Sequence, residues 1–108
     1  MTDNDKVPEL TNHEFEEYIS KGLVLVDFFA EWCMPCLMMS PIIEDLSEKL
    51  KGKIKFGKVN VGDNQEIAAK FNISSIPNFV LFKDRKPIDQ FIGATSAEDF
   101  EEKLKKYL

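Results

Sequence analysis

The chain reads as an α/β protein with a central mixed β-sheet flanked by helices on both faces. Three observations predict this. Segments with strand character alternate with amphipathic helical segments, which implies parallel crossovers. Leu23 to Phe29 is apolar at every position except Asp27, as expected of a strand buried on both faces. The last two strands are separated only by the charged turn Lys83-Asp84-Arg85-Lys86, so they form an antiparallel hairpin.

In chain order, Met1 to Lys6 has no apolar periodicity and is expected to be a flexible tail outside a single domain spanning 7–108. Val7-Pro8 suits a short edge strand, where proline is tolerated. Thr11 to Ser20 is predicted helical: Thr11 and Glu14 fit a capping box, and Phe15, Tyr18 and Ile19 share a face. Gly22 breaks the chain before the strand Leu23 to Phe29. A second helix runs from Cys33 to about Leu50, kinked at Pro41 and stopped by Gly52. Lys53 to Val61 alternates as a strand, with a slip expected near Gly57. Asp63 to Phe71 is a short helix with Asp63 as its N-cap, followed by a loop to Ser75. Phe79 to Phe82 and Ile88 to Ile92 are the hairpin strands. Ser96 to Leu108 is an amphipathic closing helix, with Ser96 and Asp99 as its cap pair and Phe100, Leu104 and Leu108 as its core stripe.

The chain has 108 residues, 44% hydrophobic residues and nine phenylalanines, enough for one domain with a substantial core. The net charge of −5 argues against nucleic acid, which needs a basic face, and against docking on an anionic membrane. The N-terminal segment lacks the apolar core of a signal peptide, and no run approaches transmembrane length. The expected location is the cytoplasm, where a lone cysteine pair is catalytic, redox-sensing or metal-binding more often than a permanent staple.

Cys33 and Cys36, the only two cysteines, flank Met34-Pro35 at the predicted junction of strand and helix. Residues three apart on a helix lie on one face, within disulfide reach. At a helix start, free backbone N–H groups and the positive dipole end stabilise the Cys33 thiolate, the form that attacks disulfides. Cys36, one turn inside, is expected to be the more shielded resolving thiol. Spacing alone leaves three other readings open: a weak structural staple, half of a zinc site, or ordinary buried thiols.

Further residues now join the pair. Val24 to Cys36, Pro41 inside the second helix, Ile76-Pro77 and Gly93-Ala94 occur in order and together resemble the thioredoxin family from about Leu10 to the C-terminus. The resemblance implies the thioredoxin fold and reversible dithiol–disulfide exchange with protein clients. It implies a redox-active Cys33–Cys36 disulfide, no other cofactor and no metal, with Cys33 as nucleophile and Cys36 as resolving thiol. A separate thioredoxin reductase would recharge the pair, since the chain has no dinucleotide-binding fingerprint, and the protein would act as a monomer. A glutaredoxin-like redox protein, a redox-inert binding module and an intersubunit metal site are the alternatives.

The same resemblance gives Asp27 the role of general base for Cys36, with Lys58 as its charged partner; from the residues alone, Asp27 could equally be a paired structural carboxylate. Pro77 would be cis and would bring the Ile76 backbone beside the cysteines for a client strand, where an ordinary turn proline is the alternative. Trp32, Met34, Pro35, Ile76, Pro77, Gly93 and Ala94 would form a client-binding collar, although Trp32 could instead be core. The chain departs from the family pattern at Met34, for a usual glycine, and at Leu37, for a usual lysine or arginine. Phe29, Asn78 and Asp84-Arg85 also differ, so redox potential, reductase choice and client range are the properties most open to change.

Overall fold

The computed structural model describes residues 7–108; the expected tail, 1–6, lies outside the described residues. The elements are α1 (Phe15–Tyr18), β1 (Leu23–Phe29), α2 (Met34–Lys49), β2 (Lys55–Asn60), α3 (Gln65–Lys70), β3 (Asn78–Lys83), β4 (Lys86–Ile92) and α4 (Ala97–Lys105). The strands form one mixed sheet in the order β2-β1-β3-β4. β1 pairs parallel with β2 and antiparallel with β3, and β3 pairs antiparallel with β4.

Side-chain alternation along β1 sends opposite sets to the two faces. Leu25 packs with Met39, Ile43 and Leu46 of α2 and with Phe100 and Leu104 of α4. Val24, Val26 and Phe28 pack with Phe15 and Ile19 on the α1 side and with Ile67 of α3. Aromatic clusters sit on each side: Phe15, Phe71 and Phe82 have ring centroids 5.2 to 5.8 Å apart, and Phe79 lies 4.8 Å from Phe100. Such tilted pairs add about 0.5–1.5 kcal/mol each beyond their buried area. β1 is therefore clamped from both faces, and the turn at its carboxyl end starts from a fixed platform.

Four expectations are corrected. Val7-Pro8 forms no strand. The chain touches the sheet through a single bridge between Glu9 and Lys58, with the Leu10 N–H donating to the Lys58 carbonyl at 2.7 Å. α1 is one turn, because the Glu14 carboxylate closes the preceding turn by accepting both the Thr11 N–H and the Thr11 hydroxyl. That hydroxyl donates to a carboxylate instead of capping a backbone N–H, so only half of a capping box forms. α3 starts at Gln65 rather than after Asp63. Asn60 accepts from the Gly62 N–H, and the Asn64 side chain donates to the Asn60 carbonyl, which holds 60–64 in a turn. No slip occurs at Gly57: Val26 pairs with Gly57 and Asp27 with Lys58 in unbroken register. The glycine is needed instead for close approach, since a Cβ there would lie 2.8 Å from Leu10 Cδ1.

α4 begins as expected, with the Ser96 hydroxyl accepting from the Asp99 N–H at 3.1 Å. Ser96→Ala should lower stability by about 1 kcal/mol, read as a shift in the urea midpoint at unchanged slope. An unmoved midpoint would show that the cap contributes nothing.

Candidate functional site

β1 ends at Phe29, and the chain turns through Ala30 to Trp32 into α2. The Cys33 N–H donates to the Ala30 carbonyl at 3.2 Å. Cys33 is the N-cap of α2, with Pro35 in the first turn, where its missing N–H would have no intrahelical partner. The Cys33 sulfur accepts from the Cys36 N–H at 3.2 Å. Cys33 and Cys36 are joined by a disulfide, with Cα atoms 5.3 Å apart. The expected contrast in exposure is absent from this oxidised pair: Cys33 is 5% exposed and Cys36 3%. Both pack with Ala30 against Phe29, Val61 and Ile76.

Asp27 alternates with Leu25 and so faces α2. It is 5% exposed, and its Oδ1 has no hydrogen-bond partner among the described residues. Burial pushes its carboxyl up to about 7, against the opposing pull of Lys58. Lys58 is its neighbour across the parallel pairing, and the Lys58 ammonium lies 5.8 Å from the centre of the Phe29 ring. Among the described residues no hydrogen bond or ion pair joins Lys58 to Asp27, so the lysine acts on it through space. A cleft of about 190 Å³ places Asp27, Cys36 and Lys58 on common walls, together with Glu31, Leu37 and Ser40. A second void of about 10 Å³, room for about one water, lies against Asp27, Ser40, Glu44 and Lys58. Larger hollows of 380 to 410 Å³ lie elsewhere, and neither cysteine lines any of them.

The Ile76-Pro77 peptide is cis. The Pro77 carbonyl accepts from the Gly93 N–H at 2.9 Å, which ties the two loops together beside the cysteine cluster. Gly93 has φ +94°, a conformation that favours glycine. Trp32 is 78% exposed, which excludes the core reading for it. Met34, Pro35 and Ala94 are also exposed, and Ile76 is half-buried against the cysteines. Sequence reasoning missed Met38, exposed beside Leu37 and one helical turn beyond Met34. It also missed Glu31 and Ser40 as walls of the cleft. The one signal for Ser40 was its position four residues after Cys36, on the same helix face.

The thioredoxin family model matches residues 6–106. The chain belongs to the thioredoxin family. It is 40% identical over 102 residues to the thioredoxin of Staphylococcus haemolyticus (strain JCSC1435), an overlap covering 94% of this chain and 98% of the relative. With the same coverage it is 38% identical to the thioredoxin of Staphylococcus saprophyticus and 37% identical to that of Staphylococcus aureus (strain Mu50). The mixed sheet with its four helices is the thioredoxin fold. The protein is accordingly a thioredoxin-type protein-disulfide oxidoreductase working by reversible dithiol–disulfide exchange, and Cys33 and Cys36 are its redox pair. Thioredoxins work through their own cysteine disulfide, and membership implies a thioredoxin reductase and disulfide-bearing clients as partners in general. Among the described residues, no cluster of three or more His, Cys, Asp or Glu could hold a metal, and no helix is long and apolar enough to cross a membrane.

Proposed function

We propose that Cys33 is the nucleophile, Cys36 the resolving thiol and Asp27 the general base of a disulfide reductase that works in the cytoplasm as a monomer. The observation that carries this reading is the shared cleft, with Cys36 on one wall and on another a buried carboxyl whose Oδ1 has no partner among the described residues.

In the first step the Cys33 thiolate attacks one sulfur of a client disulfide. A Cys33–client bond forms, and the other client sulfur leaves as a thiolate that takes up a proton. The N-terminus of α2 supports the attacking form, since the Cys36 N–H already points at the Cys33 sulfur. In the second step the Asp27 carboxylate removes the Cys36 proton. Cys36 attacks the Cys33 sulfur, and the client leaves with its second thiol. The client gains two electrons and two protons, and the Cys33–Cys36 pair loses them. A thioredoxin reductase then returns the pair to the dithiol. The reducing cytoplasmic thiol pool supports that location. Lys58 opposes the burial of the Asp27 charge and so helps keep its carboxylate available at neutral pH.

Exposed Trp32, Met34, Pro35 and Ala94, with half-buried Ile76 and Gly93 opposite, offer clients an apolar collar. Pro77, expected in that collar, is buried and supports the loop from beneath, its carbonyl taken by the Gly93 N–H. A reductase-coupled insulin assay tests the activity; absence of turnover with every thioredoxin reductase tried would count against it. Asp27→Asn tests the base. A carboxyl near 7 is ionised above neutrality and can accept a proton, whereas asparagine cannot. The variant should reduce insulin about tenfold more slowly at pH 7.5, a gap that narrows toward pH 9 as Cys36 ionises unaided. Equal rates across pH 6–9 would remove Asp27 from proton transfer.

A further inference from the structure

We propose that the Ser40 hydroxyl is a positioning residue for this reaction, holding the water that carries the proton from Cys36 to Asp27. The inference rests on the general-base reading of Asp27 and deepens it.

Ser40 stands four residues after Cys36, one turn along the same face of α2. Its hydroxyl lies 3.5 Å from the Cys36 carbonyl, the long limit of a hydrogen bond, so it is held weakly and can turn toward the cleft. Asp27, Ser40 and Lys58 are the residues common to both cavities, the one-water void and the cleft that reaches Cys36. The buried Asp27 Oδ1 has no donor among the described residues, and these two spaces are where a water could reach it.

The chemistry of the walls singles out Ser40. Lys58, from β2, only donates. Glu44, from α2, and Glu31, from the turn before it, only accept when ionised. A hydroxyl donates and accepts while staying neutral. It can therefore hold a water between thiol and carboxylate in both proton arrangements without adding a charge. During resolution the Cys36 proton passes to that water while a water proton passes to the Asp27 carboxylate. Ser40 only reorients, and the Cys36 thiolate goes on to attack the Cys33 sulfur.

The lifetime of the mixed disulfide between Cys33 and insulin, followed by acid quench and mass spectrometry at pH 6–9, reads this step directly. Five proteins are compared: wild type, Ser40→Ala, Ser40→Thr, Asp27→Asn and the Ser40→Ala/Asp27→Asn double variant. Ser40 is exposed, and alanine is the better helix former, so Ser40→Ala should fold. It should lengthen the lifetime about fivefold near pH 7, the range expected for one lost hydrogen bond. In the Asp27→Asn background it should add nothing, and Ser40→Thr, which keeps the hydroxyl, should restore the wild-type lifetime. A slow Asp27→Asn beside an unchanged Ser40→Ala would leave the base in place and overturn the role of Ser40. Equal slowing by Ser40→Ala in both backgrounds would make the effect structural and also overturn it. An unchanged Asp27→Asn would remove the base itself, and this inference with it.

Discussion

Cys33→Ser should abolish disulfide reduction, lowering the insulin rate by ~10³-fold or more, as expected when a covalent nucleophile is removed. The chain has only two cysteines, so Cys36 alone remains, with no second thiol to complete the exchange. A serine hydroxyl at the N-cap of α2 would still meet the Cys36 N–H, and the helix would keep its cap. The loss should therefore be chemical, with the fold intact by circular dichroism. Cys36→Ser should behave differently. Cys33 remains to attack, but the chain has no resolving thiol left to displace the client. A covalent adduct should accumulate and appear in non-reducing mass spectrometry as protein plus client, and added dithiothreitol should release it. Insulin turnover by Cys33→Ser at the wild-type rate would refute the nucleophile. Multiple turnovers by Cys36→Ser without an adduct would refute the resolving role. The two variants together separate attack from resolution, which the near-equal burial of the oxidised pair does not.

What could be read in advance follows from how locally each feature is determined. Leu23 to Phe29 has the same bounds in sequence and structure, because a strand buried on both faces admits few alternatives to an apolar run. The Ser96 cap was equally legible, since it needs only a hydroxyl and an N–H three residues on. α1 and α3 are shorter than their apolar spacing suggests, because Glu14 and Asn64 commit their side chains to turn geometry that periodicity does not encode. Gly57 was misread as an irregularity because the Leu10 side chain it accommodates comes from a distant part of the chain. At the site, the cysteine pair and Asp27 stood out as unusual residue types for their positions. Ser40 and Met38 did not. A serine and a methionine on a helix are unremarkable until β1, β2 and α2 enclose a cleft beside one and leave the other exposed next to Met34.

Asp27 should also set how stability depends on pH. Its folded-state carboxyl is raised from 3.8 to about 7 by burial. Between those values the folded protein holds a proton that the unfolded chain has lost, so stability falls as pH rises through this window. Below about pH 4 the group is protonated in both states and costs little; above about pH 7 it is ionised in both, and the desolvation penalty is fully present. Asp27→Asn keeps the shape without the charge. It should be close to wild type at pH 4 and more stable by about 3–4 kcal/mol at pH 8, read from urea unfolding of the oxidised protein at both pH values. Parallel pH profiles for the two proteins would show that Asp27 does not titrate abnormally, and the argument for its role as a base would lose its physical ground. The expected divergence ties stability to the chemistry. The ionised carboxylate that weakens the fold at neutral pH is the form able to take the proton from Cys36, so a substitution that relieves the penalty should slow resolution.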